Sequence, residues 1–477
     1  MTDLCLLYTN DTHSHLDSFS KRVHLLKTIR KENEEKSIPT FTFDSGDTYS
    51  GYVYFPLYNG QKEAEFLSYA GYDGMTFGNH DFDCGSQIVA DFMKKINFPV
   101  ISSNVNINND HLLSPLTGKY DHGDYSHIGL VPFIIEDLGQ GKKIGVFGLT
   151  TPTTSGSSTP SKETLFLDPY LVARDTVNYL EHLGVDRIVL ISHLGVDEDE
   201  KLAQVVPEID IIIGGHSHTL LDQPLVLGDL TNPQLIVQAG QYGQYVGRLD
   251  LSFDDDHLTF KNTLYNLKDY KEEDELIKEK LASMHEERAE LVKQVIGKTN
   301  IFLDGELKHL QAGETNLGKL VANSLFFKAR KEGYNPDLAM INGGGVRISI
   351  EAGDISLCDI INVLPFSKHL MVLEVTGADI LKSLEYGLSP QLSHLEVKYD
   401  KSKPDGAKVL QANIIKDGEL IPLDKDKIYK LATNSFVGLG KEEFKGFEGK
   451  DNLIDKNYKD IDILIEYIQS LNHPIDK

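Results

Sequence analysis

The chain has 477 residues, more than one ordinary hydrophobic core accommodates, so we expect two domains of roughly 200 to 250 residues each. Hydrophobic residues make up 40% and charged residues 25%, which are the proportions of a folded globular protein and exclude a disordered chain. The net charge of −25 repels phosphate backbones and anionic lipid, which argues against nucleic acid polymers and membranes as partners.

The three cysteines, Cys5, Cys84 and Cys358, are scattered along the chain. Their odd number and the lack of a C-x-x-C pair predict neither a disulfide framework nor a thiolate zinc site. No run of 18 apolar residues occurs, and the N-terminus shows no basic segment followed by a long apolar one. We therefore expect a cytoplasmic protein, although a secreted chain trimmed of its signal would have the same sequence.

The first part of the chain alternates short apolar strands with helices. Residues 4–8 are a continuous apolar run, typical of a strand buried on both faces, and lead into the polar segment Asn10-Asp11-Thr12-His13. After a helical pattern around residues 23–29, residues 40–43 predict a second strand that ends at Gly46-Asp47. A helix near residues 63–70 and a short strand then precede Gly78-Asn-His-Asp-Phe-Asp83.

The same alternation continues beyond this segment, with a helix near residues 88–96 and a strand at 142–149. Residues 170–183 have helical periodicity, and the strand predicted at 187–191 leads directly into Ser192-His193. The strand at 209–213 leads into Gly214-Gly-His-Ser-His218. Alternation of this kind predicts a layered α/β domain, in which ligand sites lie outside the carboxyl ends of the strands.

A charged helical segment divides the chain. Residues 269–294 are dense in Glu and Lys with apolar residues at roughly helical spacing, which indicates a solvent-exposed linker helix. The sequence therefore predicts a first domain over residues 1–268 and a second over 295–477. The second domain combines helices near 317–329 and 378–386 with strands near 337–341, 369–375 and 428–433, so we expect a smaller mixed α and β domain.

Side chains that suit metal ions follow five predicted strands of the first domain. Each one alone fits equally well a turn, a helix cap or a satisfied core histidine. Together, at successive strand ends, they predict a centre for two divalent ions, which needs oxygen and imidazole donors from several segments and one shared carboxylate. The candidate ligands are Asp11, His13, Asp47, Asn79, His193, His216 and His218.

These segments resemble a known family. They are similar, in order, to the calcineurin-like metallophosphoesterase domain of bacterial and animal 5′-nucleotidases through Asp11-Thr-His13, Gly46-Asp47, Gly78-Asn-His-Asp-Phe-Asp83, Ser192-His193 and Gly215-His-Ser-His218. The second half resembles the same family through Glu314-Thr-Asn-Leu-Gly318, Asn342-Gly-Gly-Gly-Val-Arg347 and Pro365-Phe366. The resemblance covers nearly the whole chain. It implies a layered α/β/β/α metallophosphoesterase domain joined by a helix to a smaller α+β substrate-binding domain of the 5′-nucleotidase type.

The resemblance also implies how the ligands are shared. One metal ion would be held by Asp11, His13, Asp47 and His218, and the second by Asp47, Asn79, His193 and His216, so that Asp47 bridges. Several relatives carry Gln or Asn where this chain has His218. Because Asp, Asn and His donors suit zinc, manganese, cobalt and iron alike, the sequence predicts two divalent ions without identifying them.

Catalysis is implied to proceed by in-line attack of a metal-bound hydroxide on phosphorus, while the ions neutralise charge on the oxygens. His80, oriented by Asp83, would stabilise the transition state or protonate the leaving oxygen. Asp81 has no role in this scheme, and we expect it to be a solvated carboxylate. Phe82 is likewise expected to be a bystander.

In the family the smaller domain holds the substrate. The resemblance implies that Asn342 and Arg347 contact the phosphate and that Phe366 and Phe436 clamp the base. A guanidinium beside a glycine turn suits an anion. Without the resemblance, the glycine segment also fits a tight turn with a surface arginine, and both phenylalanines fit simple core packing.

Two departures from the family pattern concern the substrate. Gln311 stands where the family usually has its first arginine, so one positive charge is lost unless Lys308 or His309 substitutes. The family's Gly-Gly-Asp-Gly-Phe after the second ring is here Gly440-Lys441-Glu442-Glu443-Phe444, which adds charge to the nucleoside pocket.

The sequence therefore predicts a two-metal phosphohydrolase that converts a nucleoside 5′-monophosphate to nucleoside and phosphate. The acidic total does not forbid a small nucleotide partner, because metal ions invert the local field. A 2′,3′-cyclic nucleotide or nucleotide-sugar phosphodiesterase is the alternative within enzymes, since it would share every metal ligand. A ligand-binding protein that lost catalysis is the alternative outside enzymes, and the retention of every ligand with His80 and Asp83 argues against it.

Overall fold

The computed structural model describes residues 3–121, 124–127, 129–228, 233–254, 257–366, 368–386, 390–400, 402–404, 406–440, 444–454, 456 and 458–476. Its backbone contacts divide the chain into two compact units, Met1–His285 and Glu286–Lys477. Lys441, Glu442 and Glu443, which were predicted to alter the nucleoside pocket, lie outside the described residues.

The first unit is built mainly from strands. They are β1 (Leu4–Thr9), β2 (Thr40–Asp44), β3 (Gly74–Met75), β4 (Val100–Ile101), β5 (Val105–Asn106), β6 (Lys119–Asp121), β7 (Asp124–His127), β8 (Leu130–Val131), β9 (Phe133–Gly139), β10 (Lys142–Thr150), β11 (Leu165–Phe166), β12 (Arg187–His193), β13 (Ile211–Ile213), β14 (Leu225–Leu227), β15 (Gln234–Val237), β16 (Tyr245–Asp254) and β17 (His257–Asn266). The helices are α1 (Phe19–Glu34), α2 (Tyr54–Tyr58), α3 (Gln61–Ala70), α4 (Gly85–Met93), α5 (Thr154–Ser157), α6 (Pro169–His182) and α7 (Val196–Val205).

Two sheets hold most of these strands. The first has the order β17-β16-β1-β2-β3-β4-β8 and the second the order β14-β15-β13-β12-β10-β9. Strands β1, β2, β3, β4 and β8 run parallel, as do β10, β12, β13 and β15, and the antiparallel strands lie at the edges. The parallel strands of each sheet all have their carboxyl ends on the same side, so the loops that follow them can meet.

The core of the unit lies between the two sheets. Side chains of the first sheet such as Leu6 and Phe43 are in one buried cluster with side chains of the second such as Val189 and Ile211. The opposite face of the second sheet packs against α6 and α7 in another cluster, which includes Val177 and Leu202. This arrangement confirms the predicted α/β/β/α layering, which buries the central strands on both faces.

The second unit is smaller and mixed. Its strands are β18 (Val295–Thr299), β19 (Leu338–Ile341), β20 (Gly353–Ser356), β21 (Leu370–Thr376), β22 (Gln391–Ser393), β23 (Leu395–Tyr399), β24 (Val409–Lys416), β25 (Glu419–Pro422) and β26 (Ile428–Asn434). Its four-stranded sheet has the order β21-β26-β19-β22, and a three-stranded sheet joins β23, β24 and β25. The helices are α9 (Leu307–Ala312), α10 (Asn316–Lys331), α11 (Leu357–Val363), α12 (Gly377–Tyr386), α13 (Ser435–Gly438) and α14 (Asp460–Ser470).

The remaining helix, α8, spans Glu275–Lys293 within the predicted linker at residues 269–294. The division between the two units falls inside this helix, after His285. The exact limits of domain and linker stay a prediction. Among the described helices, none combines the length and the apolar composition needed to cross a bilayer.

Candidate metal centre

The predicted ligands of the first unit lie at adjacent strand ends. In the first sheet, Thr9 of β1 pairs with Asp44 of β2, and Asp44 pairs with Met75 of β3. In the second sheet, Ile191 of β12 pairs with Ile213 of β13. Because these strands are parallel and in register, the five loops that carry the ligands leave the sheets at the same end.

Four of the predicted ligands form one group. Asp11, His13, Asp47 and His218 each offer an atom within 4.8 Å of the others. His218 Nε2 is 3.2 Å from the Asp11 carboxylate, and His13 Nε2 is 3.6 Å from that of Asp47. The first three residues are buried, whereas 23% of the His218 side chain is exposed. The four donors thus converge on a space suited to one cation.

A second group shares Asp47 with the first. Asp47, His193 and His216 offer atoms that also lie within 4.8 Å of one another. His193 Nε2 is 3.2 Å from Asp47 Oδ2, the oxygen that also faces His13. One carboxylate therefore faces both groups, which is the geometry that a bridged pair of ions requires.

Two buried atoms support the fit of this centre to metal ions. The amide oxygen of Asn79 is buried without a hydrogen-bond partner among the described residues, and Nε2 of His193 is buried with the Asp47 carboxylate at 3.2 Å but without a hydrogen bond of good geometry. A buried polar atom of this kind costs free energy unless a water or an ion satisfies it. Asn79 immediately follows Gly78, and the next residue, His80, donates its backbone N–H to Asp47 Oδ1 at 2.8 Å.

The protonation of the imidazoles also suits cation binding. Burial lowers the pKa of His13 to about 3 and that of His216 to about 4, so both rings are neutral, as metal ligands must be. Burial alone would also lower the pKa of His193, but Asp47 and Asp11 raise it to about 10. His193 therefore holds a proton that a bound cation would displace.

Backbone carbonyl groups orient two of the rings. His13 Nδ1–H donates to the carbonyl oxygen of Ser50 at 2.8 Å, and His193 Nδ1–H donates to that of Ser45 at 2.5 Å. Each bond leaves Nε2 as the available ligand atom and fixes the ring plane. The sequence did not indicate Ser45 or Ser50, because a carbonyl group carries no residue-specific signal.

Most of the predicted ligands have a left-handed backbone. Asp11, His13, Asp47, His216 and His218 have φ between 48° and 72°, a region that residues other than glycine seldom adopt. Such conformations cost free energy and persist where surrounding contacts hold them, most often at functional sites. The loops are therefore shaped to present these side chains.

Two glycines allow the loops to approach each other. At Gly78, a Cβ atom would lie 2.0 Å from Asp47 Oδ1 and 2.2 Å from its backbone nitrogen. At Gly46, which has φ of +87°, a Cβ atom would lie 2.3 Å from the nitrogen of Gly78. No larger residue fits at either position, which explains why a glycine precedes both Asp47 and Asn79.

The prediction that Asp81 is a solvated carboxylate is wrong. Its side chain is fully buried and accepts hydrogen bonds from the backbone N–H groups of Gly78 (2.8 Å), Asp47 (3.2 Å) and Thr48 (3.0 Å). The short turn after Asn79 directs this carboxylate back under the loop that carries Asp47. Asp81 thus joins the two loops, a role that depends on tertiary contacts absent from the local sequence.

We expect Asp81→Ala to lower the free energy of unfolding by about 3 kcal/mol or more, because three buried N–H groups lose their acceptor at about 1–3 kcal/mol each. Metal affinity should fall as well, since the loops of Asp47 and Asn79 are no longer joined. Urea unfolding and metal titration measure both effects. Asp81→Asn, which keeps one acceptor oxygen, is the matched control with a smaller loss, and wild-type stability in Asp81→Ala would contradict this role.

His80 and Asp83 lie beside the ligand groups. His80 Nδ1 is 2.8 Å from Asp83 Oδ2, an oxygen that also accepts a bond from the Ser50 hydroxyl at 2.9 Å. The His80 ring centroid is 5.3 Å from that of His13, and 21% of the His80 side chain is exposed. A partly exposed imidazole that is held through Nδ1 can transfer or hold a proton.

The predicted substrate residues lie in the second unit. Asn342 directly follows β19, and Phe436 lies just beyond the end of β26. Because these two strands are adjacent and parallel, both residues lie near the carboxyl ends of neighbouring strands. Arg347 lies with its guanidinium carbon 5.1 Å from the centre of the Phe366 ring. The structure thus brings Arg347 beside Phe366 and places Asn342 and Phe436 after adjacent strands.

The two phenylalanines are buried, with 3% of Phe366 and 9% of Phe436 exposed. Phe436 belongs to a hydrophobic cluster with Leu373 and Phe444. Phe436 is therefore packed in the hydrophobic core, as its residue type alone favours. The base-stacking role that the resemblance implies for the pair stays a prediction.

The departure at Gln311 lies on α9, where its side chain and that of Lys308 are exposed. His309 Nδ1 is 2.8 Å from Asp304 Oδ2, so its ring is already engaged with a carboxylate. A different cation lies beside the phenylalanines, because Lys368 Nζ is 5.8 Å from the ring centre of Phe366 and 5.7 Å from that of Phe436. No motif in the sequence indicated Lys368.

Comparison with known proteins gives consistent results for both halves of the chain. Residues 6–220 match the family model described as calcineurin-like phosphoesterase, and residues 295–449 match the C-terminal domain of 5′-nucleotidase. The crystal structure of a 5′-nucleotidase precursor from Thermus thermophilus is 31% identical with a TM-score of 0.84, over 98% of this chain and 96% of that chain.

Curated relatives show the same similarity. The trifunctional nucleotide phosphoesterase protein YfkN of Bacillus subtilis is 34% identical over 99% of this chain, which spans only 34% of the Bacillus protein. Snake venom 5′-nucleotidase of Crotalus adamanteus is 28% identical over 98% of this chain and 86% of the venom protein.

The fold and the metal centre define a metal-dependent phosphoric ester hydrolase of the calcineurin-like class, whose members use two divalent ions. This confirms the predicted enzyme class and cofactors. The match to the C-terminal domain of 5′-nucleotidase, and the similarity to the Thermus protein over nearly the full length of both chains, identify the family more narrowly. The chain belongs to the 5′-nucleotidase family.

Proposed function

We propose that this protein hydrolyses nucleoside 5′-monophosphates to nucleoside and phosphate. The observation that carries the proposal is the pair of ligand groups that share Asp47, with the His80–Asp83 pair beside them. Relatives over nearly the whole chain are named 5′-nucleotidases, which supports a nucleotide as the substrate.

In this proposal, Asp11, His13, Asp47 and His218 hold one ion, and Asp47, Asn79, His193 and His216 hold the other. When bound, a pair of divalent ions activates a water molecule and neutralises negative charge on the phosphoryl oxygens. Asp83 holds the His80 imidazole through Nδ1, so that Nε2 can stabilise the transition state or deliver a proton to the leaving ribose oxygen.

In this proposal, residues of the second domain also bind the nucleotide. Asn342 and Arg347 contact the phosphate, and Phe366 and Phe436 hold the base. Gln311 contributes no charge at the position where the family has an arginine. The proposed domain limits are residues 1–268 and 295–477 with a linker at 269–294.

We further propose that the protein acts in the cytoplasm, without nucleic acid polymers or membranes as partners. Cys5, Cys84 and Cys358 are thiols rather than disulfides, which supports a reducing compartment. The net charge of −25 supports the absence of polyanionic partners.

A 2′,3′-cyclic nucleotide or nucleotide-sugar phosphodiesterase activity is the second candidate, because the Bacillus relative is named a trifunctional nucleotide phosphoesterase. Initial rates on adenosine 5′-monophosphate, 2′,3′-cyclic adenosine monophosphate and uridine diphosphate glucose, each with manganese, cobalt or zinc, test both. We expect the highest kcat/KM on the monophosphate. A higher value on either diester would replace the proposal with the second candidate.

A further inference from the structure

A buried glutamine lies against the loop that carries His216 and His218. Gln238 directly follows Val237, the last residue of β15, whose carbonyl oxygen accepts a bond from the backbone N–H of Gly214 at 2.8 Å. Gln238 therefore lies beside the start of this loop, at the carboxyl end of its strand. Its side chain is fully buried, so its amide group must find hydrogen-bond partners within the protein.

The amide group of Gln238 binds the loop at both ends. Its Nε2–H donates to the carbonyl oxygen of Gly215 at 3.1 Å, and its Oε1 accepts a bond from the backbone N–H of Thr219. Because a carbonyl group only accepts and a backbone N–H only donates, these two partners fix which way the amide faces. Oε1 also accepts a bond from the Ser217 hydroxyl at 3.1 Å. One side chain thus holds the first, the middle and the last residue of segment 215–219.

The backbone between these contacts needs support. His216 and His218 have φ of 72° and 56°, in the left-handed region that residues other than glycine seldom adopt. Such a conformation costs free energy and persists where surrounding contacts hold it. The backbone N–H of His216 donates to the Asp11 carboxylate at 3.0 Å, which holds the loop at one point. Gln238 holds it on either side of both histidines.

The same contacts reach the neighbouring ligand loop. The Ser217 hydroxyl, which donates to Gln238, accepts a bond from the backbone N–H of Val196 at 3.1 Å. Val196 is the first residue of α7, which follows the loop that carries His193. The loop of His193 is therefore connected to Gln238 through Ser217.

We propose that Gln238 is a positioning residue for both metal ions, because it holds the backbone that presents His218 to the first ligand group and His216 to the second. It acts through the loop and not as a ligand, since its amide is engaged with main-chain and hydroxyl groups. Partners that orient metal ligands typically contribute about 10- to 100-fold to metal affinity. This inference rests on the proposed function, because it takes both histidines as ligands.

A buried glutamine at the other end of the same strand provides a matched control. Gln234, the first residue of β15, is 7% exposed and donates through Nε2 to the carbonyl oxygens of Ile209 at 3.0 Å and Val206 at 3.4 Å. Those two residues precede β13 and are not among the proposed ligands. Replacing either glutamine by leucine therefore removes a buried amide that binds the backbone, but only Gln238→Leu affects a ligand loop.

The test is a titration of the metal-free protein with Co²⁺, followed by visible absorption, in the wild-type protein, Gln238→Leu and Gln234→Leu. We expect Gln238→Leu to bind both ions about tenfold or more weakly, with an altered spectrum because the imidazoles are displaced. Gln234→Leu should keep the wild-type dissociation constants and spectrum. Urea unfolding of each metal-free protein defines conditions in which all three are folded, so that lost stability alone does not change the spectrum.

Wild-type dissociation constants and spectrum in Gln238→Leu, a weakening at one ion only, or an equal weakening in Gln234→Leu would overturn the inference. If Gln238→Leu does not fold, Gln238→Asn decides it by the same criteria, because its shorter side chain cannot reach both Gly215 and Thr219. The nucleotide does not enter this titration. A protein that binds two Co²⁺ ions with the expected dependence on Gln238 but cleaves no nucleoside 5′-monophosphate would contradict the proposed substrate and support the inference.

Discussion

Asp47→Ala is expected to remove both metal ions and to lower kcat/KM by about 10³-fold or more, since metal ions supply several kcal/mol of transition-state stabilisation and each 1.4 kcal/mol is about tenfold. Asp47 is the residue common to both ligand groups. Its Oδ2 atom faces His13 and His193, and its Oδ1 atom accepts the backbone N–H of His80. One substitution therefore weakens both ion sites and releases the loop that carries the proposed catalytic histidine.

Metal content per chain after dialysis and kcat/KM on a phosphomonoester measure the two effects together. Asp91→Ala is the matched control, because Asp91 is a partly exposed carboxylate on α4 of the same unit and belongs to neither ligand group, so its removal should leave both quantities unchanged. Two tightly bound ions in Asp47→Ala would contradict the bridging assignment.

His80→Ala should separate catalysis from metal binding. His80 contacts Asp83 through Nδ1 and is not a member of either ligand group. We expect both metal ions to remain, while kcat falls roughly 10²–10⁴-fold, the usual contribution of a positioned proton donor or acceptor. The metal content and the steady-state rate constants of the same preparation provide the measurement.

Two comparisons sharpen this experiment. His182→Ala, at an exposed position on α6, controls for the loss of a histidine and should behave as the wild-type protein. Added imidazole should partly restore the rate of His80→Ala, because the missing group is a proton carrier. Loss of metal with unchanged turnover would assign His80 to metal binding instead.

The layering of the first unit was predictable because its signals are local. Apolar runs such as β1 and β12 identify strands buried on both faces, and polar residues directly after them identify the ligand loops. What the sequence could not provide is the partition of these strands between two sheets. That partition depends on pairings such as β1 with β16, which join segments more than 200 residues apart.

For single residues of the candidate site as well, the sequence predicts what a local motif carries and does not predict what tertiary contacts decide. Asp47 and His193 carry chemistry that a motif reveals. Asp81 and Lys368 differ from ordinary surface residues only in their burial, which tertiary packing decides. Lys368 lies 5.7 Å from the centre of the Phe436 ring, 68 positions further along the chain, and no local pattern encodes that contact.

The left-handed backbone at the ligand positions also restricts how this centre can evolve. Asp, Asn, His and Gly tolerate positive φ far better than β-branched or bulky residues, for which the conformation costs roughly 1–2 kcal/mol. At His218, with φ of 56°, exchange for Asn is therefore compatible with the chain, whereas Val or Ile would strain it. The left-handed backbone therefore limits which residues can replace these ligands, however well another residue would coordinate a metal ion.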